Sequence, residues 1–85
     1  MAYRVELLPT ARRELRGLDS VTRERILRAL IKLETHQRPP GAKKLAGRED
    51  LWRIRVGDYR VIYEIHDRIL VVLIVRVAHR REVYR

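Results

Sequence analysis

Cysteine is absent from this chain, so disulfides and thiolate chemistry are excluded and a reducing compartment is compatible with it. Histidine is nearly as scarce: His36, His66 and His79 stand at no metal-ligand spacing, and no metal site or cofactor is expected. Long hydrophobic runs are missing too. The longest, Ile69 to Val75, falls far short of the roughly 20 residues of a membrane span, and Arg4 and Glu6 interrupt the N-terminus before any signal-peptide core. The expectation is a soluble, cytoplasmic protein that makes no membrane contact. Internal repeats, low-complexity tracts and linkers are also lacking, so residues 1–85 read as one small domain with a single core.

Acidic charge is in deficit: 11 Asp+Glu stand against 20 Lys+Arg, a net charge of +9. Lysine accounts for only three of those 20 cations, Lys32, Lys43 and Lys44. Lysine would serve solubility equally well, whereas the planar guanidinium fork matches phosphate oxygens and stacks on bases. The arginine bias therefore points to a polyanion or an acidic protein partner.

What is present is periodic. Ala2 to Leu8 alternates as a strand and ends at Pro9, which suits the first turn of a helix. Ala11, Leu15 and Leu18 recur at i, i+4 and i+7, giving a short helix that Gly17 loosens at its end. Asp19 or Ser20 caps a longer helix from about Val21 to His36, where Ile26, Ala29, Leu30 and Leu33 form a stripe widened by Leu27 and Ile31. Arg38-Pro39-Pro40-Gly41 commits the chain to a loop, made basic by Lys43, Lys44 and Arg48 and anchored by Leu45. Leu51–Val56 and Tyr59–Ile65 alternate as strands around a turn at Gly57-Asp58, and Ile69–Val77 reads as a central strand covered on both faces. The fold class is α+β: an N-terminal strand, a helical hairpin, a three-stranded antiparallel sheet and a short C-terminal segment, with the helices on one sheet face.

The alternation places Trp52, Ile54 and Val56 on one face and Arg53 and Arg55 on the other, and Arg60 on the next strand can join those two arginines. Such a face is either a solvated surface with Asp58 and Glu64 as neighbours or a set of donors for charge developing on a phosphate. Tyr84 is open to three readings, as core, as a base-stacking platform or as a proton carrier. Its ordinary pKa near 10 is poor for a base, but surrounding guanidinium groups favour phenolate. His79 is either a turn residue bonded to backbone or a second proton carrier. Trp52 and Tyr59 share the apolar alternation and read as core.

The runs Lys44-Leu45-Ala46-Gly47, Leu51-Trp52-Arg53-Ile54-Arg55, Gly57-Asp58-Tyr59-Arg60-Val61-Ile62-Tyr63 and His79-Arg80-Arg81-Glu82-Val83-Tyr84 resemble the RelE/ParE superfamily of small bacterial and archaeal toxins. The resemblance implies the toxin of a type II toxin-antitoxin system, bound by an acidic antitoxin in a hetero-oligomer. For RelE-like members it implies a ribosome-dependent, metal-independent mRNA endonuclease, in which a 2'-hydroxyl attacks its adjacent phosphate. Carried over by resemblance, Arg60 and Arg80 would hold the scissile phosphate, Arg53 and Arg55 would act as electrostatic clamps where relatives often carry lysine, and Tyr84 would orient or activate the nucleophile. Lys43, Lys44, Arg48 and Arg81 would bind RNA, with Arg81 an alternative bearer of the role given to Arg80. A ParE-like gyrase inhibitor and a non-catalytic, antitoxin-binding homologue are the alternatives.

Overall fold

A computed structural model describes residues 2–47 and 50–83. Its order is β1 (Arg4–Leu7), α1 (Pro9–Arg16), α2 (Ser20–Lys32), β2 (Lys43–Lys44), β3 (Leu51–Val56), β4 (Tyr59–His66), β5 (Val71–His79) and α3 (Arg80–Val83). The strands form one sheet in the order β1-β5-β4-β3-β2. All neighbours are antiparallel except β1 and β5, which run parallel from Arg4 opposite Val71 to Leu7 opposite Ile74.

The helices start where local chemistry places them. Pro9 stands at the first helical position of α1, and Arg13 and Arg16 fill its last turn, where cations oppose the helix dipole favourably. Asp19 caps α2 by accepting the Thr22 amide at 3.1 Å, and the Thr22 bonds hold its carboxyl below the usual carboxylate range. Ala11 and Leu15 of α1, Ile26 and Leu30 of α2 and the following Leu33 then pack against Ile54, Val61, Tyr63, Ile65, Val72, Ile74 and Val77 of the sheet. Each fully buried aliphatic side chain stabilises the fold by about 1.5–3 kcal/mol. Tyr63 is wholly inside, donates its hydroxyl to the Gln37 carbonyl at 2.8 Å, and has its phenol pushed up to about 12 by burial.

Four expectations change. The sheet has five strands rather than three plus an N-terminal one, because Lys43 and Lys44 of the expected loop pair with Arg53 and Trp52. The long helix ends at Lys32, so Ile31 is 60% exposed and, with Leu27, lies outside the core. Strand β5 starts at Val71, two residues late, since the turn before it puts Leu70 at a φ of 56°. Its Leu73 and Val75 are half-exposed, because the helices cover one sheet face and the other stays open.

Two side-chain contacts unmarked in the sequence hold distant segments together. Strand β1 ends opposite Ile74, and beyond it Glu14 of α1 accepts the Val77 amide at 2.8 Å and an Arg76 Nε–H bond at 2.8 Å. At the other end Asp67 accepts the Tyr3 hydroxyl at 2.6 Å and Arg38 Nη2 at 2.9 Å, while the Arg38 guanidinium lies 5.3 Å over the Trp52 ring. The Tyr3 bond, then the Arg38 bond, hold the Asp67 carboxyl below its ordinary range. A depressed folded-state value means that this contribution is present above the unfolded pKa, about 4, and is lost as pH falls through the folded one. Asp67→Asn should therefore flatten the loss of stability below about pH 4 relative to the parent, measured by urea unfolding across pH; an equally steep acid limb would show that Asp67 is not involved.

Candidate functional site

The open sheet face gathers cations because the β3–β4 register leaves no choice. Gly57, at a φ of 60°, takes the first central position of the two-residue turn, as a type II′ hairpin requires. That turn sets Val56 opposite Tyr59 and Arg55 opposite Arg60. On the other side of β3, Lys43 stands opposite Arg53. Residues directly opposed across a ladder share a face, so Lys43, Arg53, Arg55 and Arg60 converge.

They line a cavity of about 340 Å³ together with Gly41 and Ile54. None of the lining residues is acidic. Arg60 is 9% exposed, with Nε and Nη1 of its guanidinium buried, while Arg55 is exposed and donates Nε–H to the Gly57 carbonyl at 3.2 Å. Like charges directly opposed weaken a strand pair by an amount on the order of 0.2–1 kcal/mol. An anion bound between them would offset that repulsion, so the cavity has the charge to accept a phosphate or carboxylate group.

The remaining candidates fall elsewhere. Arg80 opens α3 and donates its amide to the Asp58 carbonyl at 2.9 Å, two residues beyond Ala78, the cross-strand partner of Arg60. Arg80 and Arg81 are exposed beside the β3–β4 turn and do not line the cavity. Lys44 opposes Trp52 and so lies on the opposite face from Lys43. His79 pairs with Tyr59, on the helix-covered face: the rings meet edge to face at 5.4 Å, and Nδ1 accepts the Arg81 amide at 3.3 Å. That geometry is the backbone-bonded turn residue of the two readings. Arg48 and Tyr84 lie outside the described residues. Sequence reasoning missed Gly41, whose φ of 90° turns the loop toward the cavity; the Pro39-Pro40-Gly41 turn signal was the available hint.

The family model for the ParE toxin of the type II parDE toxin-antitoxin system matches residues 5–84. The chain belongs to the RelE/ParE superfamily of type II toxins. It is 36% identical to toxin RelG of Mycobacterium tuberculosis over 93 residues, covering 100% of this chain and 99% of that one. It is 33% identical to the mRNA interferase toxin RelE of Escherichia coli over 88 residues, covering 99% and 92%. Among solved structures, the archaeal RelE–RelB complex of Pyrococcus horikoshii superposes with a TM-score of 0.84 at 33% identity, covering 94% of this chain and 97% of that one. The chain is thus a RelE-family toxin with the RelE fold. Among the described residues no helix is long and apolar enough to cross a membrane.

Arg55 is exposed and directly opposes Arg60 across the ladder, a position where an anion-binding role would pull against fold stability. Arg55→Gln should raise unfolding stability by up to about 1 kcal/mol. It should also lower affinity for single-stranded RNA and reduce the salt-dependence slope by about 0.7. Denaturant titration and binding at several salt concentrations check both; a destabilised variant with an unchanged slope would contradict the arrangement.

Proposed function

We propose that this toxin is an endoribonuclease that cuts mRNA on the ribosome by intramolecular transesterification. The observation that carries the reading is the cavity in which Lys43, Arg53, Arg55 and Arg60 face one another. In this reaction the 2'-oxygen attacks the adjacent phosphorus and the bond to the 5'-oxygen breaks. The products are a 2',3'-cyclic phosphate and a 5'-hydroxyl. The 2'-hydroxyl proton goes to a base and the leaving 5'-oxygen receives a proton from water. Negative charge builds on the non-bridging oxygens, and fixed guanidinium donors there lower the barrier without a metal.

Arginine cannot exchange protons at neutral pH, so Arg53, Arg55 and Arg60 act as clamps and leave the proton transfers to another group. Tyr84 is the proposed base, and Arg80 neutralises charge near the leaving oxygen. Lys43, Lys44, Arg48 and Arg81 bind the RNA backbone. The cognate partner is an acidic antitoxin in a hetero-oligomer. The net charge of +9 supports this, as does the recurrence of toxin–antitoxin complexes among the structural relatives, including a RelBE complex of M. tuberculosis at a TM-score of 0.68.

The ParE name of the matching family model favours a second reading, inhibition of DNA gyrase by protein contact. The arginine-lined cavity and the mRNA interferase relatives favour RNA. Single-turnover cleavage on programmed ribosomes separates them, with cut ends mapped and gyrase supercoiling assayed in parallel. Tyr84→Phe should slow cleavage by about 10²–10⁴-fold and change RNA affinity much less. Unchanged cleavage removes Tyr84 from the mechanism, and arrest of supercoiling with no cut mRNA replaces the nuclease reading by the gyrase one.

A further inference from the structure

The far end of the β3–β4 pair carries a second constellation, opposite in sign to the arginine cavity. Glu64 and His66 are two residues apart on β4 and so project from the same face. Asp50 immediately precedes β3, and its carbonyl accepts the Ile65 amide at 2.9 Å, which fixes it beside that end of β4. The result is that one carboxylate oxygen of Asp50, one of Glu64 and an imidazole nitrogen of His66 all lie within 4.8 Å of one another, each on a half-buried residue. His66 Nε2 and Glu64 Oε1 are already 2.8 Å apart. None of the three lines the arginine cavity.

We propose that Asp50, Glu64 and His66 form a binding site for a divalent transition-metal cation, with zinc as its natural occupant class. Metal–ligand bonds of about 2.0–2.2 Å in a tetrahedral site place ligand atoms roughly 3.3 Å apart. The three candidate atoms lie within 4.8 Å of one another, so a cation would draw them closer and replace the His66–Glu64 hydrogen bond and the other interactions of Asp50 and Glu64. Two carboxylates balance the charge of a divalent ion. One imidazole among the ligands favours zinc, cobalt or nickel over magnesium and calcium, which take oxygen donors. Three protein ligands leave a fourth position for water.

The His spacing gave no sign of this site, because its ligands come from two strands and only the antiparallel register brings them together. The ion would tie the start of β3 to the end of β4, the same two strands that carry the arginine cavity at their other end. Glu64 lies four residues along β4 from Arg60, about 13 Å at the usual strand rise, so metal binding and RNA cleavage are separately measurable.

The test is calorimetric titration of untagged, chelator-stripped protein with zinc chloride, alongside the absorption spectrum of the protein with cobalt(II). The expected result is one saturable equivalent and a cobalt spectrum with ligand-field bands. Asp50→Asn, Glu64→Gln and His66→Gln should each weaken binding at least tenfold, and His66→Gln should remove the nitrogen-ligand signature. His36→Gln, at an exposed position outside the cluster, should change neither. Circular dichroism of the metal-free variants checks their fold, and Glu64→Gln substitutes for any variant that does not fold. No saturable binding to the parent protein, or binding that survives His66→Gln and is lost with His36→Gln, overturns the assignment.

Discussion

Two arginines held face to face across a hairpin organise this molecule. A two-residue turn with Gly57 in a left-handed conformation sets the pairing of β3 with β4, and that pairing puts Arg55 against Arg60. A slip of one residue would send both side chains toward the helices and bring Ile54 and Val61 into water. The apolar face thus enforces the cationic one: Ile54, Val61 and Tyr63 are buried only in the register that also crowds the guanidinium groups. Hydrophobic burial, at roughly 25 cal/mol per Å² of apolar surface, outweighs a like-charge cost on the order of 0.2–1 kcal/mol. Under the proposed function, an anion bound between the two side chains would offset that cost.

That balance also separates the parts of the fold that local sequence pattern reveals from those it does not. The alternation of Leu51–Val56 and Tyr59–Ile65 is local, and it placed Arg53, Arg55 and Arg60 on one face before any coordinates. The Asp19 cap and the Ile26, Leu30 and Leu33 stripe are local as well, and they recur in the structure. The parallel pairing of β1 with β5 joins segments more than sixty residues apart, and nothing in either strand marks the other. The Glu14 bonds to Arg76 and Val77 and the Asp67 bonds to Tyr3 and Arg38 are of the same kind. Lys43 and Lys44 read as loop because two residues show no periodicity, yet they extend the sheet and supply a cation to the cavity. Ile31 sat in the helical stripe on spacing alone, but the packed face is narrower than the stripe.

The relatives and the geometry bear on different questions. A superfamily match over residues 5–84 and superposition on RelE structures establish the family and the fold. Within that superfamily one scaffold carries both the ParE and the mRNA interferase RelE names, so chemistry has to be argued from the site. Here the site is a basic cavity open to solvent, formed by β3, β4 and the chain leading into β2. In the proposed nuclease reaction Arg53 and Arg55 would supply charge without exchanging protons, so the acid–base work would fall to a residue from elsewhere in the chain.

The most direct test of this account is a double-mutant cycle between Arg55 and Arg60, using Arg55→Gln and Arg60→Met, with unfolding free energy measured for the free toxin and for the toxin bound to a non-cleavable RNA analogue. Opposed guanidinium groups predict a repulsive coupling of about 0.5 kcal/mol in the free protein that turns favourable once the anion is bound. A coupling near zero in the free protein, or one that keeps its sign with RNA bound, would mean that the two arginines do not share an anion.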